Sequence, residues 1–279
     1  ADRGWCWRDG RDHREARWGF RHPESKRIPS ALQTFDSHEV NSAYHRRVAF
    51  RTDLGNSTSR RLHGTSPTIL IPVGSTEQHG PHLPLDTDTR IATAVARAAT
   101  TELSRRAGDQ DEYLLAPPIP YGASGEHEGF AGTVSIGTAA LTSVLVEYGR
   151  SASSWARRLV FVNGHGGNVE ALCAAVGRLR FEGRDAGWCS CAAEGGDAHA
   201  GHTETSLLLH LSPDDVRTAD WRRGNQEPLA RLMPRLREGG VAAVSDVGVL
   251  GDPTTATRDD GARIFAGMVD ECLRRVERW

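Results

Sequence analysis

Residues 68–73 read T-I-L-I-P-V, residues 74–88 continue as G-S-T-E-Q-H-G-P-H-L-P-L-D-T-D, and an alanine-rich run opens at Thr89. The first six residues are apolar at odd and even positions alike, as in a strand covered on both faces of a parallel sheet. A loop rich in glycine and proline follows, then a run with helical periodicity. The same cadence recurs downstream. Short apolar runs at Tyr113–Pro117, Leu159–Val162 and Gly187–Ala192 read as strands. Helices are expected over Thr89–Arg106, Thr138–Trp155, Asn168–Glu182 and Thr203–Leu211, with two more over Glu227–Arg237 and Asp259–Arg278. Strands alternating with helices predict an α/β fold built on a parallel sheet. In the last helix Ile264, Met268, Val269, Leu273 and Val276 recur at helical spacing and are read as a core face.

The chain has 279 residues, enough for one sizeable α/β domain. Residues 1–40 hold Trp5, Trp7, Trp18 and many arginines without either apolar period. They are read as a disordered extension or as a start-site artefact, and 41–279 as one domain. A net charge of -2 offers no basic excess to displace counterions from a phosphate backbone, so no nucleic-acid partner is expected. No apolar run reaches the ~20 residues that a membrane helix needs, and the reading is a cytoplasmic protein without a membrane partner. The five cysteines show no C-x-x-C spacing that would hold zinc.

Chemistry concentrates in the loops that follow strands, where ligands of open parallel sheets bind. In Glu77-Gln78-His79 the outer two residues lie two apart in extended chain, so a carboxylate and an imidazole face the same way. Asp88 can return a second carboxylate to that point, or cap the next helix in competition with Asp86 and Thr87. His82 does not join them by the same spacing. His165 stands in Asn163-Gly164-His165-Gly166-Gly167-Asn168 between a strand and a helix. A dinucleotide loop would need glycine at Val169, so an imidazole ligand is the better reading. In His199-Ala200-Gly201-His202-Thr203-Glu204, Glu204 is either a dipole partner in a first helical turn or a closing ligand, and His199 or His202 a candidate acid or base. Ser124 lacks the G-x-S-x-G elbow because Glu126 replaces its last glycine. His127, in the same loop, is read as a substrate contact, a partner of a ligand, or a surface histidine.

P-V-G-S-T-E-Q-H-G-P-H-L-P-L-D-T-D, S-G-E-H-E-G-F-A-G-T, N-G-H-G-G-N and H-A-G-H-T-E-T-S follow one another in an order that resembles the creatininase family of metal-dependent amidohydrolases. The resemblance spans about residues 67–278. It implies a three-layer αβα fold with a mainly parallel sheet, and two divalent ions per subunit, zinc, iron(II) or manganese. It further implies that Glu77 and His79 bind opposite metals, that Asp88 bridges them, and that His165 ligates one. Creatininase itself resembles N-G-H-x-E-N at the next ligand, where this chain has Gly167; other branches complete the site with the acid that is Glu204 here. His199 falls at the family's catalytic histidine, and His82, His127 and His202 are carried as substrate-contacting or supporting groups.

G-G-D-A-H-A-G-H-T-E-T-S, G-V-A-A-V-S and G-V-L-G-D-P-T-T-A-T look like the mycofactocin-system peptidases of that family. That likeness implies cleavage of a modified, ribosomally made precursor peptide near its C-terminus, releasing a Val-Tyr-derived moiety, by a homo-oligomer. Another amidohydrolase of the family, a formamide deformylase or creatinine hydrolase, and a non-catalytic metal-binding relative are the competing expectations.

Overall fold

The computed structural model describes residues 52–108 and 112–278, which fall within one compact unit. The assignment of residues 1–40 and the boundary at residue 41 lie outside them. Four strands, β1 (Thr68–Val73), β2 (Tyr113–Leu115), β3 (Arg158–Asn163) and β4 (Ala186–Ser190), pair in parallel in the order β2-β1-β3-β4. Besides a single turn at Ser59–Leu62, the helices are α1 (Thr87–Ala107), α2 (Gly137–Ala152), α3 (Val169–Phe181), α4 (His202–Leu211), α5 (Leu229–Gly239) and α6 (Arg258–Arg278). All six expected helices are present, and their ends differ by a few residues. The fourth strand starts one residue earlier than expected and stops at Ser190, although the Cys191 amide still donates to the Asn163 carbonyl at 2.8 Å.

The strand alternation sorts the core into two layers. Leu70, Val160, Val162 and Cys189 face α1, α4 and α6, packing with Ile91, Val95, Leu207, Met268 and Leu273. Ile69, Ile71, Val73, Leu159 and Phe161 face α2 and α3, against Leu141, Leu145, Leu172 and Leu179. Both faces of β1 are therefore buried, and the three-layer αβα arrangement follows from the two-residue strand period. Successive strands are laid outward from β1, first to β2 on one side and then to β3 and β4 on the other. The chain reverses its direction of progress between β1 and β3. Connections leaving those two strands diverge, and they leave a crevice beyond their C-terminal ends where open sheets take ligands.

Helices α4 and α6 meet at Gly261, where a Cβ would overlap the Ser206 carbonyl oxygen and crowd the His210 side chain. Gly267, two turns along α6, is exposed and has nothing within 4 Å of where a Cβ would sit. Helix propensity alone favours alanine over glycine at both places by about 1 kcal/mol. Gly261→Ala is expected to destabilise by about 1–3 kcal/mol through overpacking, and Gly267→Ala to stabilise by about 0.5–1 kcal/mol. Urea denaturation of the two variants checks both signs.

Candidate metal centre

The crevice between β1 and β3 collects side chains from three separate stretches. The loop after β1 carries Glu77 and His79 and is pinned by backbone bonds from Glu77 to Leu85 and from Val134 to Thr76, both 2.9 Å. Asp88 is the second residue of α1, whose positive N-terminal end favours a carboxylate there. Its side chain does not cap the helix; one oxygen instead accepts from the Ser75 hydroxyl at 2.7 Å. Gly164 lets the turn after β3 press on α1, since a Cβ at 164 would overlap the Asp88 carbonyl. That close approach delivers His165.

Asn168 ties the loops together. Its amide nitrogen donates to the Gly74 carbonyl at 2.9 Å and its oxygen accepts from the Ala123 amide at 2.9 Å, so one buried side chain links the loops following β1, β2 and β3. On the far side Asp197 accepts from the His202 and Thr203 amides and holds the start of α4. Ala200, just before that helix, is non-glycine at φ 49°. This backbone costs an L-residue about 1–2 kcal/mol, and it is held where the Ala200 amide donates to Glu204 Oε2 at 2.7 Å. His199 is fixed in turn by a backbone bridge to Leu250.

These supports bring five expected residues to one place. Asp88 Oδ2 and Glu77 Oε1 stand 3.1 and 3.2 Å from His165 Nδ1. Asp88 Oδ1 and Glu204 Oε2 stand 3.2 and 3.7 Å from His79 Nε2. Glu77, Asp88 and His165 form one group able to hold a cation, and His79, Asp88 and Glu204 a second, with Asp88 common to both. His199 joins Glu77 and His79 in a third such group. Neither Glu77 oxygen accepts a well-directed hydrogen bond although both are buried, the condition of a carboxylate that serves a cation.

Charge is balanced among the protein groups by displaced pKa values. Burial alone would depress His79, but Asp88, Glu204 and Glu77 push it up to about 10. His165 is likewise held well above the ordinary imidazole value, its burial outweighed by Glu77 and Asp88. Burial, reinforced by Asp88 and Glu77 and opposed by His79, raises Glu204 to about 7. Burial lowers His127 to about 4, and burial with neighbouring His79 and His127 drives His199 well below its usual range. The centre thus pairs imidazoles that attract positive charge with imidazoles kept neutral.

The remaining expected residues separate. His127 is buried beside the cluster, its Nε2 3.3 Å from Glu77 Oε1. His82 lies behind the cluster, its Nε2 bonded to the Thr205 hydroxyl at 2.9 Å, and burial brings it down to about 4. His202 turns away to Thr255 and Asp260, one-third exposed. The structure therefore does not bring His82 or His202 to the acids. Gln78 and Asn168, whose partners lie far along the chain, and Ser75 and Asp197, whose partners lie nearer, carry no motif of their own in the sequence. A cavity of about 780 Å³ opens over the cluster, walled opposite it by Leu229, Met233 and Leu236 of α5 and the loop at Val241.

A family model described as creatininase, creatinine amidohydrolase, matches residues 54–276, and the chain belongs to the creatininase family, whose members hydrolyse C–N bonds. A Mycobacterium tuberculosis protein named mycofactocin precursor peptide peptidase is 70% identical over 244 residues, covering 86% of this chain and 96% of its own length. Among solved structures, the manganese form of creatininase matches with a TM-score of 0.65 at 27% identity, over 81% of this chain and 98% of that one. A mutant creatininase of Zn-Zn type matches with the same TM-score at 26% identity, over 81% and 97%.

Replacing Asn168 with alanine orphans the buried Ala123 amide and Gly74 carbonyl, each costing about 1–3 kcal/mol. Asn168→Asp adds an oxygen facing the Gly74 oxygen. Both variants are expected to unfold at lower urea concentration than the parent, Asn168→Asp lower still.

Proposed function

We propose that this chain is a metal-dependent peptidase. On this reading it cleaves a modified, ribosomally made precursor peptide near its C-terminus and frees the Val-Tyr-derived moiety used in mycofactocin biosynthesis. The observation that carries the reading is the shared carboxylate of Asp88, which belongs to two cation-holding groups at once. The 70% identity to a protein named for that peptidase activity supports the substrate class. Glu77, Asp88 and His165 would hold one divalent ion, and His79, Asp88 and Glu204 the other. Two imidazoles and three carboxylates suit zinc, iron(II) or manganese. When bound, such a pair supplies an acidified water and polarises the scissile carbonyl.

The chain's own groups do the rest. His199 donates from Nε2 to the Gln78 carbonyl at 2.9 Å, which leaves Nδ1 bare towards Glu77 and Glu204. Nδ1 can take a proton and pass it to the departing amine, because an amide nitrogen leaves poorly unless protonated. Burial keeps that imidazole a strong acid once charged. The wall of Leu229, Met233 and Leu236 offers apolar surface to the side chains that flank the scissile bond. Gly167 supplies no side-chain ligand, so the second group depends on Glu204, and this departure argues against creatinine as substrate. The homo-oligomer and the cytoplasmic location stay with this proposal; among the described residues no helix is long and apolar enough to cross a membrane.

Purified protein is expected to contain divalent metal and to cleave the modified precursor, the released moiety being detected by mass spectrometry. Hydrolysis of creatinine or of a formylated pyrimidine, with the precursor left intact, would overturn the assignment.

For Glu204→Ala the expectation is loss of about half the bound metal and a fall in turnover of roughly 100-fold or more. Full metal content together with full activity would remove Glu204 from the ligand set.

A further inference from the structure

Gln78 stands in the chain between two of the proposed ligands, Glu77 and His79, and its side chain reaches the two histidines that border Glu77. Its side chain is buried. The amide nitrogen lies 2.9 Å from the Gly248 carbonyl, 2.9 Å from His127 Nδ1 and 3.0 Å from His199 Nε2, while its oxygen accepts from the Gly80 amide at 2.9 Å. Turning the amide over would set oxygen against the Gly248 oxygen and nitrogen against the Gly80 N–H. The orientation is fixed by two partners that have no choice of role.

An amide nitrogen has two hydrogens, and three atoms stand within reach of them. Gly248 takes one, because a carbonyl can only accept. His199 Nε2 also sits 2.9 Å from the Gln78 backbone carbonyl, so it must carry its own hydrogen and donate there. The second amide hydrogen is left for His127 Nδ1, which has to be bare. The neutral His127 ring therefore carries its proton on Nε2, the atom 3.3 Å from Glu77 Oε1.

We propose that Gln78 is a positioning residue that sets the tautomers of His127 and His199 together, turning His127 into a hydrogen donor towards Glu77 and His199 into a bare Nδ1 acceptor over the reaction centre. The two rings lie with centroids 4.4 Å apart, yet they present opposite faces of imidazole chemistry to the same cluster. The side-chain amide acts on His127 and the backbone carbonyl of the same residue acts on His199. This deepens the peptidase reading and rests on it for the use made of Nδ1, but the tautomers are properties of the protein alone.

The test is nitrogen-15 NMR of the imidazole rings, recorded on metal-free and zinc-loaded protein and assigned through His127→Gln and His199→Gln. The parent is expected to show His127 and His199 both protonated at Nε2 and bare at Nδ1. A proton on Nδ1 of either ring in the parent overturns the proposal without need of any variant. Gln78→Glu, which can only accept at these positions when ionised, is expected to draw the His127 proton to Nδ1. Gln78→Leu, which removes the amide, is expected to lower kcat about 10–100-fold with little change in KM, and Gln78→Asn to recover less than the parent. Unchanged kcat and unchanged His127 signals in Gln78→Leu would also overturn it. The stated tautomers in a protein that cleaves no peptide would support the positioning role while removing the proposed function.

Discussion

Burying several carboxylates side by side is unfavourable by several kcal/mol per ion unless each finds positive charge or hydrogen donors. Glu77, Asp88 and Glu204 meet that constraint at the end of the sheet, and the surrounding structure is arranged to satisfy it. Asp88 sits at the positive end of α1 and takes the Ser75 hydroxyl, while His79 and His165 are held strongly basic beside it. Glu77 alone has no well-directed donor among protein groups, and it marks where a cation belongs. The loop supports, from the Asn168 link to the left-handed turn at Ala200, serve to keep these like charges from moving apart.

The parallel sheet was legible because its cause is local. A run such as Ile69–Val73 that is apolar at every position can be covered only on two faces, and the helices that cover it announce themselves by their own period. Glu77 and His79 were legible as a carboxylate and an imidazole two residues apart in the loop after that run, and they share a group with His199. Asp88 was harder, because capping and coordination place a carboxylate at nearly the same position. Only the close approach of Gly164 to α1 shows which neighbours that carboxylate meets.

Histidines 82 and 202 illustrate what proximity in sequence does not decide. His202 and Glu204 are two apart in a helix, hence about 200° apart around its axis, so they face opposite ways. His82 is drawn off by Thr205, a partner far along the chain. Gln78 shows the converse: its neighbours attract attention, and its own role comes from Gly248, His127 and His199, none of which its sequence position suggests. A two-residue step keeps its direction in extended chain and nearly reverses it in a helix, but only the fold says what each side chain then meets.

The donors of the centre come from the loop after β1, the turn after β3 and the first turn of α4, with the Asp88 carboxylate held in common. Two cations divided among these groups and joined through Asp88 would act as a cross-link between distant parts of the chain, closing loops whose entropy the unfolded state would otherwise keep. Loading and folding are then linked equilibria. Resistance to unfolding would then rise with free metal concentration, so that the supply of metal would bear on the stability of the fold as well as on turnover.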